Sequence, residues 1–82
     1  MLNIEYKEEF LKRIEKIRDP VTKEKMKKQI LKIINLPEIG KPMMYERKGT
    51  RELYVSPYRL AYAYISEEEK IIFLDVYHKD EQ

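Results

Sequence analysis

The 82-residue chain has no cysteine, one histidine and only two glycines, and each shortage removes a class of function. Without cysteine there is no disulfide framework, no thiolate zinc site and no cysteine nucleophile. A single histidine, His78, rules out a histidine-rich metal site, and there is no P-loop, no GxGxxG and no metal-ligand spacing. No cofactor and no metal are therefore expected. No apolar run approaches the roughly 18–20 residues that a membrane span needs. The stretch Met1 to Phe10 also lacks the apolar region of a signal peptide. We expect a cytoplasmic protein with no membrane contact.

What remains is one small domain over residues 1–82, with a modest core to which every element must contribute. Charged residues make up 39% of the chain yet the net charge is only +2, which points to local basic patches rather than general basicity. The abundance of Lys and Glu, with so few glycines, would also suit a thermophile.

Leu2, Ile4 and Tyr6 alternate with Asn3 and Glu5, the period of a short strand. From Lys7 the period becomes helical, with Phe10, Ile14, Ile17 and Val21 on one face. Asp19-Pro20 ends that helix and starts a second, because Asp is a favoured N-cap and Pro fits the first helical position. Met26, Ile30, Ile33 and Ile34 line the buried side of the second helix, and Pro37 sets its end at Leu36. Residues 37–42 read as a connector, and Met43 to Lys48 as irregular chain or a short strand. Strands are then expected over about 50–55, 58–66 and 70–77. The fold class is α+β: a short strand, a two-helix hairpin and a twisted antiparallel sheet, in the order β-α-α-β-β-β.

Strand phase decides which side chains meet. Leu60, Tyr62 and Tyr64 are assigned to the helices, leaving Arg59, Ala61, Ala63 and Ile65 on an open face. In the last strand Ile72, Leu74 and Val76 would face the helices, and Phe73, Asp75, Tyr77 and Lys79 the open side. Arg59 and Lys79 then become neighbours, and a one-residue slip would bring His78 there instead.

Arg59, on a rigid strand beside small residues, presents a fork suited to phosphate, although it could equally pair with Glu52 across the hairpin. His78 has the chemistry of a general acid or base, or is an ordinary strand-end histidine. Lys79 and Lys48 could stabilise phosphate charge, and Glu46 or Glu52 could act as a base near a ribose 2′-hydroxyl. Arg51, Lys41 and Lys48 are candidate RNA contacts, with Tyr45 and Tyr77 as open stacking candidates. The lysines of the second helix read as a solvated face that could also touch nucleic-acid phosphates.

The stretch GTRELYVSPYRLAYAY followed by IIFLDVYHKDE resembles the RelE/ParE superfamily of toxin–antitoxin toxins, over nearly the whole chain. The Tyr58-Arg59-Leu60 strand start, the GKP at 40–42 and the His78-Lys79-Asp80-Glu81 close, similar to a His-Arg-Asp-Glu ending, carry the likeness. The resemblance implies a ribosome-dependent endoribonuclease that cuts mRNA without metal, by 2′-hydroxyl attack on the adjacent phosphate. Arg59 then matches a phosphate-binding arginine, Lys79 a second cation, and His78 an acid/base histidine with Glu46 or Glu52 as its carboxylate partner. It also implies a cognate antitoxin. Two departures stand out: Glu52 and Tyr54 occupy positions often basic in RelE, and the aromatic that follows the His-Arg-Asp-Glu ending has no counterpart up to Gln82. GTREL is common in ParE-like members, which poison DNA gyrase. The alternatives are therefore a gyrase inhibitor or a catalytically weak RNA-binding relative.

Overall fold

A computed structural model describes residues 2–42, 49–78 and 80. Its helices form where the apolar period demands them. α1 (Glu8–Lys16) has Glu8 and Glu9 in its first turn and Arg13 and Lys16 in its last, which complements the helix dipole at both ends. The backbone turns extended at Ile17, whose buried side chain closes the apolar stripe begun by Phe10 and Ile14. Val21, expected on that stripe, lies instead in the first turn of α2 (Pro20–Asn35) and is 64% exposed. Once the chain leaves the helix at Ile17, helical spacing no longer carries across to it.

Asp19-Pro20 starts α2 as expected, but it does not end α1, which stops at Lys16. The Asp19 carboxylate accepts from the Thr22 amide at 3.2 Å and from the Thr22 hydroxyl at 2.6 Å. Those bonds, the hydroxyl's above all, hold the Asp19 carboxyl below its ordinary value. Met26 and Ile33 are the fully buried apolar residues of α2, flanked by Ile30 and Ile34.

Five strands make one sheet in the order β1-β5-β4-β3-β2: β1 (Asn3–Tyr6), β2 (Lys41–Pro42), β3 (Thr50–Val55), β4 (Tyr58–Ile65) and β5 (Lys70–His78). The antiparallel part is as expected. The sheet as a whole is mixed, because β1 pairs parallel with β5. β2, expected as connector, adds a fifth strand at the edge beside β3, where Pro42 costs no ladder bond on its free side. The β3–β4 hairpin turns at Ser56-Pro57, whose peptide bond is cis. A 3₁₀ turn, Ser66–Glu68, joins β4 to β5.

The core lies between the helices and one sheet face, with Phe10, Ile17, Met26 and Ile33 against Leu60, Tyr62, Ile71, Phe73 and Val76. Phe73 corrects the expected phase of the last strand. It is fully buried, stacked on Tyr6 at 5.2 Å and tilted against Phe10 at 5.3 Å. The reason is a bulge: Ala61 pairs with Asp75 but Tyr62 with Phe73, so Leu74 is skipped. One extra residue inverts the alternation. Ile71 and Phe73 face the helices before the bulge, and Val76 does so after it, while Ile72 and Leu74 are only half-buried. Among the described residues no helix is long and apolar enough to cross a membrane.

Candidate functional site

The two-residue turn fixes the register of the first hairpin, so Tyr54 lies directly opposite Arg59, and Glu52 opposite Ala61. On the other side of β4, Arg59 faces Tyr77 and Tyr58 faces His78. Ala61 bears only a methyl group. Arg59 and Tyr77, from the neighbouring row, therefore have room to lean over it and meet at Glu52. Arg59 Nη1 lies 2.7 Å from Glu52 Oε1, and the Tyr77 hydroxyl donates to Glu52 Oε2. Both oxygens of one carboxylate are thus engaged. The Glu52 side chain is 16% exposed and that of Arg59 36%.

The guanidinium sits 5.9 Å above the centre of the Tyr54 ring, within cation–π range. Its Nε is buried and has no hydrogen-bond partner among the described residues. Lys41, Ile39 and Leu53 complete the lining of an open basin around Glu52, Tyr54 and Arg59. Tyr54 was not singled out from sequence as part of a site. The signal for it was the tight turn itself, which forces the pair Tyr54–Arg59.

Among the expected site residues, Arg59, Glu52, Tyr77 and Lys41 are thus brought together on the open face. Arg51 points the other way. Its Nη1 donates to the backbone carbonyls of Glu38 at 2.9 Å and Gly40 at 2.8 Å, clamping the connector that follows α2. Tyr62 holds the same connector from within the core. Its hydroxyl donates to the Pro37 carbonyl at 2.7 Å and accepts from the Gly40 amide at 2.8 Å. Burial pushes this phenol above its ordinary pKa, against the opposing pull of the Gly40 amide and Arg51. A Cβ at Gly40 would lie 2.5 Å from the Tyr62 hydroxyl, so only glycine allows this approach.

His78 does not join Arg59. It shares the helix side with Tyr58, ring edge to ring face at 5.7 Å, and lines a cavity of about 160 Å³ with Arg13, Lys16, Ile17 and Tyr77. Its Nδ1 accepts from the Asp80 amide at 3.3 Å. Asp75 pairs with Arg13 of α1 at 3.5 Å. Glu46, Lys48 and Lys79 lie outside the described residues, as does Tyr45. Among the described residues no group of three or more His, Cys, Asp or Glu side chains is placed to hold a metal ion.

The family model of the ParE toxin of type II toxin–antitoxin systems, parDE, matches residues 4–82. No curated protein sequence matches significantly. Among solved structures, a chain of the intact E. coli RelBE toxin–antitoxin complex superposes with a TM-score of 0.77 at 22% identity, covering 95% of this chain and 96% of that one. The toxin–antitoxin complex RelBE2 of Mycobacterium tuberculosis gives 0.79 at 21% identity, covering 95% and 98%. The E. coli DinJ-YafQ complex gives 0.78 at 21% identity, covering 99% and 97%. At these identities the likeness is one of fold.

Proposed function

Because the chain belongs to the ParE toxin family of type II toxin–antitoxin systems, we propose that it disables its target through the open sheet face centred on Arg59, as a ribosome-dependent mRNA endoribonuclease. The observation that carries this reading is the guanidinium held above the basin of Lys41, Tyr54 and Glu52, with Tyr77 against the same carboxylate. Arg59 stabilises the charge that builds on the phosphate during attack. Glu52, displaced from Arg59 by that phosphate, takes the 2′-hydroxyl proton as the 2′-oxygen bonds to phosphorus. The bond to the 5′-oxygen breaks, leaving a 2′,3′-cyclic phosphate. The 5′-oxygen takes its proton from Tyr77, the hydroxyl on this face. His78 is one register step away and directed to the helix side, so on this reading it does not act on the Arg59-bound phosphate. The related RelBE and DinJ-YafQ structures are toxin–antitoxin complexes, which supports a protein antitoxin for this chain as well.

A second reading, inhibition of DNA gyrase by binding, is favoured by the ParE family match and by Glu52, which offsets the positive charge of the face. Primer extension on ribosome-bound mRNA separates the two. Decoding-site cuts by the wild type, lost by at least about 100-fold in Arg59→Ala, are the expected result. Absence of cuts at high protein concentration, together with accumulation of gyrase cleavage complexes, would establish the second reading.

A further inference from the structure

We propose that Glu52 is an internal competitor for the Arg59 phosphate site and the residue that sets how tightly this site holds a phosphodiester. The inference rests on the reading that Arg59 takes a phosphate. It adds that the chain already fills the position with its own anion. A guanidinium binds carboxylates and phosphates through the same fork of donors. Here Nη1 is occupied at 2.7 Å by Glu52 Oε1. The competing carboxylate is not a mobile surface group: its side chain is only 16% exposed, and its second oxygen is held by the Tyr77 hydroxyl.

The contact is built by register. Ala61, opposite Glu52, leaves the space through which both Arg59 and Tyr77 reach across. A phosphate oxygen approaching Nη1 meets a negative charge where it would have to sit. It must drive the carboxylate off both partners before it binds. The pairing does not satisfy the arginine completely, because its buried Nε has no partner among the described residues. The guanidinium is held in the basin although one of its donors finds no partner among the described residues. Such a cost is expected at a functional position and unusual at a purely structural one.

The predicted signature is an affinity that rises when the acid is neutralised. Glu52→Gln keeps the shape and removes the charge. Binding of a fluorescein-labelled 12-nucleotide oligouridylate, followed by anisotropy at 50 mM salt, is expected to tighten by about fivefold or more. Arg59→Ala is expected to bind at least about tenfold more weakly, and the double variant to behave like Arg59→Ala. Circular dichroism melts establish that each variant is folded. Should Glu52→Gln not fold, nitrogen-15 spectra of the wild-type guanidinium and carbon-13 spectra of its tyrosine rings during the same titration replace it. The Arg59 signal is then expected to move together with the Tyr77 ring as the carboxylate is displaced, and an unmoved Tyr77 ring would overturn the inference. If Arg59→Ala weakens binding while Glu52→Gln leaves it unchanged or weaker, Glu52 merely supports the arginine and the competitor role is wrong. If neither variant changes binding, the phosphate reading of Arg59 itself fails.

Discussion

On the open sheet face Arg59 and Tyr77 converge on the Glu52 carboxylate, whereas the five lysines of α2 make no ion pair with any described residue. α2 sets Lys23, Lys25, Lys27, Lys28 and Lys32 against Glu24 alone, a net of four positive charges in a chain whose whole excess is two. Charge on the sheet is organised by cross-strand register, which gives each group a fixed partner and direction. Charge on the helix is organised by composition. Lys23 with Lys27 and Lys28 with Lys32 even stand one turn apart, a mildly repulsive arrangement. The sheet network is therefore expected to behave as a site, sensitive to single atoms and resistant to salt, and the helix as a diffuse field that salt removes.

The largest expected effect lies in the network that seats the sheet against the connector. Tyr62→Phe removes both hydroxyl bonds from a fully buried ring and strands the Gly40 amide, at a cost of about 2 kcal/mol in chemical denaturation. The same variant changes the pH profile. A phenol whose folded pKa is raised contributes stability that is complete below its unfolded value of about 10 and is lost as pH rises from there through the folded value. Wild-type stability should thus fall more steeply than that of Tyr62→Phe above about pH 10 in denaturation curves collected across pH. A profile of equal slope for the two would mean the phenol is not held neutral by the fold.

A smaller effect is expected from the Arg59–Glu52 pair. A double-mutant cycle with Arg59→Ala and Glu52→Gln should return a coupling of about 1 kcal/mol, because the pair is only partly exposed. Most of that coupling should persist at 0.5 M salt. A coupling that vanishes there would place Arg59 in the same class as the α2 lysines and dissolve the contrast. The smallest effect belongs to α2 itself. Replacing Lys25, Lys28 and Lys32 together by Gln should alter stability by less than about 0.5 kcal/mol, in the stabilising direction at low salt and with no difference at high salt. A destabilisation of several times that size would mean these lysines hold partners that the structure does not show.

The contrast also explains which parts of the molecule were legible in the amino-acid order. Asp19-Pro20 as cap and first turn, Pro37 as stop, and strands at 50–55, 58–65 and 70–78 were readable to within a residue or so, because each boundary depends on neighbours a few positions away. The faces of β4 were readable too, since Leu60 and Tyr62 alternate cleanly with Arg59 and Ala61. Val21 was misassigned because helical spacing was carried through a break. Phe73 was misassigned because a strict two-residue period was carried through a bulge. Of the site, the sequence already offered Arg59 with Glu52 as one of two choices. Strand phase already set Tyr77 on Arg59's face and His78 on the other, leaving only a one-residue slip to bring His78 across.

Local order, then, determined the two helices, the Asp19 cap of the second, the strands and the hairpin that sets Tyr54 opposite Arg59, all of which follow from short-range sterics, periodicity and turn length. Tertiary structure alone decided the parallel pairing of β1 with β5, the added edge strand at Lys41–Pro42 and the skipped Leu74. It also decided that Tyr77, already expected on the open face, reaches across to the Glu52 carboxylate beside Arg59. Those outcomes depend on how distant strands settle against one another over a shared core, where a single unpaired residue reverses every side chain beyond it.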